Sequence, residues 1–230
     1  MKEHIKNWAK LLIIILIFFN VGWIAATVLN LFGISDLNSA QLAVANLVLM
    51  TIISSFCLLL YHKELKEDWQ KFREKLGKNI ATSFKLFGLF MIIKMLAAII
   101  TVIVSLALNL DFLQSENQEL IESFAISAPL AVFVSAVILA PFLEEIIFRL
   151  GFRKITNNKY LYILTTGLIF GLMHIFPTDL DMAMALTQSI VFVAMGFTLS
   201  AMYWHRPNIW IVIIVHALNN LLSMIIIFLL

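Results

Sequence analysis

The chain has 230 residues, 62% of them hydrophobic and only 13% charged, with a net charge of +2 and a mean hydropathy of +0.97. A soluble domain of this length keeps about a quarter of its residues charged, so the composition excludes an ordinary water-soluble globule. The near-balanced charge gives no footing for a nucleic-acid partner, and Cys57, the single cysteine, can form neither an internal disulfide nor a thiolate metal cluster.

The deficit of charge is concentrated in seven apolar runs, at 8–32, 40–61, 81–108, 127–148, 161–177, 182–204 and 208–230. Each approaches the ~20 residues a helix needs to cross ~30 Å of hydrocarbon, and the short alternating segments of a membrane β-barrel are absent. The predicted fold is all-α, a polytopic membrane helical bundle with about seven transmembrane helices plus an interfacial helix. The first run follows Lys2, Lys6 and Lys10, like the n-region of a signal peptide, but is longer than an h-region and is read as an uncleaved anchor. After the second run, Leu65, Trp69, Phe72 and Leu76 recur at helical spacing among many charges. That pattern predicts an amphipathic helix on the cytoplasmic interface, an anchor more than a partner-binding surface. The third run contains Lys85 and Lys94, expected to snorkel toward water. A short helix on the outer face is predicted within 109–126. No repeat or linker divides the chain, so a single integral membrane domain over 1–230 is expected.

The connections alternate in charge. The N-terminus has three basic residues, 62–80 has Lys63, Lys66, Lys71, Arg73, Lys75 and Lys78, 149–160 has Arg149, Arg153, Lys154 and Lys159, and 205–207 has Arg206. The other connections have none and contain Asp36, Asp111, Glu116, Glu119, Glu122, Asp179 and Asp181. By the positive-inside rule the N-terminus lies in the cytoplasm, with the chain in the plasma membrane.

Ionisable residues inside spans are costly and usually functional. Glu144 and Glu145 have apolar neighbours on both sides, and a glutamate stem is too short to reach water from deep in a helix. Consecutive helical residues point about 100° apart, so the two need not share one job. Glu145 can pair with Arg149 one turn on, which makes Glu144 the better candidate for chemistry. If the fourth helix runs on to a turn near Lys159, Glu144 and His174 each lie fifteen residues from that turn. An antiparallel hairpin would then bring them face to face at a depth of roughly 20 Å. Gly167 and Gly171 form a small-xxx-small pair that permits close helix contact. In the last run His216 and Asn220 share a face at similar depth, with Asn219 alongside. Pro141 interrupts the fourth helix just before the glutamates and frees a backbone carbonyl.

A carboxylate facing an imidazole can activate a water and pass its proton to a leaving amine. A second imidazole with an amide can stabilise an oxyanion. Alternatively, Glu144, His174 and His216 could hold a zinc ion that acidifies the water. Either arrangement hydrolyses an acyl bond within the membrane.

Glu144 to Arg149 with its EExxxR pattern, Phe170 to His174 with FxxxH, and His216 to Asn220 with HxxxN resemble the three motifs of the CPBP family. These are the CAAX prenyl protease and bacteriocin-processing intramembrane peptidases, also called the Abi family. The resemblance covers about 127–230, where the catalytic core is expected. It implies that Glu144 is the general base with His174, that His216 and Asn220 stabilise the oxyanion, and that Glu145 and Arg149 support the site. The family is often described as metal-dependent, and a metal-free, glutamate-activated water has also been proposed; both remain open here. The partners implied are membrane lipids and a peptide or protein substrate: a prenylated C-terminus, a leader peptide or a bacteriocin precursor, with bacteriocin self-immunity as a variant. Two other classes are weighed, a non-catalytic scaffold regulating a partner enzyme and an ion-coupled transporter. No broken-helix pair or inverted repeat supports the transporter.

Overall fold

The structure is a computed structural model. It describes residues 2–31, 33–34, 37–110, 116–176 and 180–229, with the backbone alone at 21, 25, 29 and 116–120. Asp36, Asp111 and Asp179, and the side chains of Glu116 and Glu119, lie outside the described residues. The described residues contain helices and no strand. In chain order the helices are α1 (Lys2–Leu31), α2 (Ser39–Glu74), α3 (Leu76–Ala107), α4 (Glu116–Ser127), α5 (Pro129–Gly151), α6 (Lys159–Met173), α7 (Met182–His205) and α8 (Ile209–Leu229). The all-α membrane bundle expected from the sequence is what forms.

Five of these helices, α2, α3, α5, α7 and α8, are long and apolar enough to cross a membrane. A sixth is added if the pieces Lys2–Asn20 and Gly22–Val28 of α1 make one bent span. The expected span at 161–177 is shorter than predicted: α6 has 15 residues, about 22 Å of helix against about 30 Å of hydrocarbon. Outward-facing apolar residues such as Leu59, Leu106 and Leu130 are largely exposed, as suits lipid contact.

The expected amphipathic helix is present as the part of α2 beyond Tyr61, where the backbone leaves the helical region at φ −111°, ψ 17° and kinks the helix. Its apolar stripe docks on the start of α8 within the same chain. Leu65 and Phe72 are buried, Trp69 stacks on Phe72 and meets Trp210 edge-on, and Trp210 Nε1 donates to the Leu65 carbonyl. Asp68 caps α8 by accepting the Ile209 amide at 2.9 Å, satisfying a donor that a helix N-terminus leaves open.

That docking gathers the basic segments at one end. Lys154 and Lys10 both approach Glu64, at 3.7 and 4.0 Å, and Arg153 lies over the ring of Trp204. At this end α6 starts, capped by Asn158, and folds back against α7. The packing there is backbone on backbone: a Cβ on Gly171 would come within 2.5 Å of the Val193 backbone, and one on Gly196 within 2.5 Å of the Gly167 carbonyl oxygen. Thr166 and Ser200 share a buried hydrogen bond across the same seam. The small-residue pair foreseen on α6 therefore serves contact with α7.

Candidate active site

The spine of the site is α5, the most buried of the spans. It is not a regular α-helix. Two stretches, Val134–Leu139 and Ile146–Gly151, are π-helical, and they flank the short α-helical turn that carries Pro141, Glu144 and Glu145. The first stretch has a visible cause. The Ala140 amide bonds the Ser135 carbonyl, five residues back. In that register the next bond would run from residue 141 to the Ala136 carbonyl, but proline has no N–H. Ala136 is left with an open acceptor, and Asn220 Nδ2 donates to it at 2.8 Å. Short π segments recur at functional sites. Arg149, which the sequence places in the 149–160 connection, lies inside α5.

Glu145 and Glu144 face different partners. Glu145 Oε2 lies 3.0 Å from Arg149 Nε, an ion pair by separation without hydrogen-bond alignment. The Arg149 guanidinium sits over the Phe170 ring, 4.9 Å from its centroid. Glu145 Oε1 lies 2.9 Å from His216 Nδ1. Glu145 and Arg149 are fully buried and His216 nearly so. Sequence reasoning foresaw the bond to Arg149 and missed the one to His216.

Glu144 has no such fixed partner. Its Oε2 is buried without a direct hydrogen bond; the nearest groups are His216 Nε2 at 3.8 Å and His174 Nε2 at 3.9 Å. Both separations exceed a direct hydrogen bond and suit one bridging water. The ring orientations are set from behind. His174 Nδ1 lies 2.8 Å from the Phe170 carbonyl, which only accepts, so Nδ1 carries a proton and Nε2 faces Glu144. His174 is the residue that ends α6, stacked on Phe192 at 5.0 Å and 12°. Phe170 touches both histidine rings. Phe192, which has no polar atom to mark it in the sequence, was not foreseen.

The structure thus brings Glu144, Glu145, Arg149, His174 and His216 together. Asn220 stands one turn beyond His216, engaged with α5. The donor types fit zinc, which takes imidazole nitrogens and carboxylate oxygens at about 2.0–2.2 Å. The spacing does not: among the described residues no group of three His, Cys, Asp or Glu is placed to hold a metal ion. As placed, Glu144 stands beyond direct hydrogen-bond distance of both His174 and His216.

Residues 126–222 match the family described as "Type II CAAX prenyl endopeptidase Rce1-like". The UPF0177 protein YvdC of Lactococcus lactis subsp. lactis (strain IL1403) is 32% identical over 114 residues, which cover 49% of this chain and 41% of that protein. YdiL of Bacillus subtilis (strain 168), whose name marks it as a candidate membrane peptidase, is 33% identical over 110 residues, or 46% of this chain and 41% of the relative. The match therefore spans about two fifths of the length of each curated relative. No solved structure matches the chain. Every side chain converging on Glu144 comes from the segment, residues 126–222, that is similar to the Rce1-like family.

Proposed function

We propose that this chain is an intramembrane endopeptidase. The observation that carries the reading is the approach of Glu144 Oε2 to the two imidazole Nε2 atoms, at 3.8 and 3.9 Å, beside the 2.9 Å contact of Glu145 with His216. Glu144 takes a proton from the bridging water as the water oxygen adds to the scissile carbonyl carbon. His174 relays the proton through Nε2 to the amide nitrogen as the C–N bond breaks, leaving a carboxylate and an amine. To stabilise the oxyanion, His216 must carry a proton on Nε2 as well, an imidazolium whose Nδ1–H is held by Glu145. The second N–H of Asn220, beyond the one given to Ala136, is the other donor. No step passes through a metal.

The substrate class is set by the surroundings: a peptide bond in a membrane-associated segment, with a prenylated C-terminus, a leader peptide or a bacteriocin precursor as forms of it. Bacteriocin self-immunity is the physiological role in the last case. The gathering of basic residues at one end of the bundle supports an N-terminus in the cytoplasm of a plasma-membrane protein.

The test uses purified full-length chain in proteoliposomes with an internally quenched farnesylated peptide and an unprenylated transmembrane reporter. Wild type should cleave one of them, and Glu144→Ala and His174→Ala should not while still inserting. Cleavage that survives chelation supports the glutamate-activated water; loss restored by zinc would replace it with the metal route. Retained cleavage in both variants would remove the roles given to Glu144 and His174, no cleavage by wild type would favour a scaffold, and Glu144-dependent proton flux would favour a transporter.

A further inference from the structure

Lys94 lies on α3, outside the segment that matches the family, in the middle of an apolar run where a charge is costly. Snorkelling was the expectation for it. Instead Lys94 Nζ turns inward and donates to Asn219 Oδ1 at 2.8 Å. Asn219, itself buried, donates from Nδ2 to Asn220 Oδ1 at 3.0 Å. Asn220 in turn donates from Nδ2 to the Ala136 carbonyl.

The chain of bonds has a fixed direction. An ammonium group only donates, so Asn219 must offer Lys94 its oxygen, and its amide nitrogen then faces Asn220. Asn220 Oδ1 must accept, which leaves both Asn220 N–H groups as donors on the other side. The far end agrees, because the Ala136 carbonyl only accepts. An asparagine side chain can rotate its amide by half a turn at little steric cost, reversing donor and acceptor. Here a half-buried ammonium at one end and a proline-vacated carbonyl at the other select one orientation.

We propose that Lys94 is a positioning residue of the active site, acting through Asn219 to hold the Asn220 amide with its second N–H toward the reacting carbonyl. The proposal rests on the peptidase reading. A purely structural Lys94 would tie α3 to α8 and nothing more, so stability and turnover distinguish the two.

The experiment measures kcat, KM and detergent melting of the full chain with whichever of the two reporters wild type cleaves. Lys94→Met is expected to lower kcat by about tenfold to a hundredfold, with KM within about twofold and little change in melting. Asn219→Asp keeps a partner for Lys94 but cannot donate to Asn220, so it should lose as much turnover and covers the case in which Lys94→Met fails to fold. The double variant should be no slower than either single one, since both break one relay, and Lys94→Arg, which still donates, should recover most of the rate. If wild type cleaves and Asn219→Asp keeps its full kcat, the relay is wrong and the peptidase reading stands. If wild type cleaves neither reporter, the peptidase reading falls and the relay with it.

Discussion

The ring of His216 divides the site into two halves of opposite character. On its Nδ1 side Glu145 closes to 2.9 Å and pairs onward with Arg149 at 3.0 Å, all of it shut away from solvent. On its Nε2 side the nearest carboxylate oxygen is 3.8 Å away, and the second imidazole, His174, keeps 16% of its side chain exposed. Residue types are the same on both sides, two adjacent glutamates against imidazoles. The difference lies in how the groups are held. Glu145 and Arg149 are one turn apart on α5, so covalent geometry sets their distance. Glu144, His174 and His216 come from three helices, and their separation is set by helix packing. A closed half that fixes ring orientation and an open half with room for a reactant is the division of labour that preorganised catalysis requires.

The sharpest way to break this comparison is to exchange the two glutamates' fates. Glu144→Gln keeps size and removes the base. Cleavage should fall by about 10²–10⁴-fold while the melting temperature in detergent holds, since Glu144 Oε2 has no direct partner to lose. Glu145→Gln should do the reverse first. It leaves a buried guanidinium without its counter-charge, a loss of about 3–5 kcal/mol, read as a large drop in melting temperature with activity lost as the fold fails. Equal stability losses in the two variants would show that the halves are not distinct.

A third variant sharpens the comparison at the edge of the open half. Pro141→Ala restores an N–H that can take the Ala136 carbonyl in the five-residue register, displacing Asn220. Turnover should fall by about tenfold or somewhat more with melting unchanged or raised, because the helix gains a backbone bond. Full activity in this variant would mean that the vacated carbonyl does not position Asn220.

The approximate positions of the helices were legible because apolar run length marks them, but the turn count that paired Glu144 with His174 was not sound. It assumed that the fourth helix runs on toward Lys159, whereas α5 ends at Gly151 and α6 starts at Lys159, so the approach of Glu144 to His174 is set by helix packing. Rotation about the helix axis was not legible. The π-helical turns of α5 widen the helix and re-aim the side chains beyond them, and nothing in the sequence said that His216 would reach Glu145 as well as Glu144. Lys94 was misjudged for a related reason: a lysine near lipid looks free to snorkel until the partner on α8, 125 residues away in sequence, is in place. The stripe from Leu65 to Phe72 was read correctly as amphipathic and assigned the wrong covering surface. Its partner, the start of α8, is supplied by tertiary packing.

The smallest effect tests the open half from its far wall. His174 ends α6, so no further turn of helix holds its ring. Two residues do: Phe170, through its carbonyl on Nδ1 and through its ring, and Phe192, against the face of the imidazole. The first fixes which nitrogen meets Glu144; the second limits how far the ring swings. Phe192→Leu keeps an apolar side chain on α7 and removes the stacking surface, worth about 0.5–1.5 kcal/mol for an aromatic pair. If that energy serves only to align His174, kcat should fall about threefold, in line with the lower end of that range. KM and melting temperature should stay near wild type. A loss as large as that of His174→Ala would mean that Phe192 does more than steady the ring; no loss would mean that Phe170 alone aligns it.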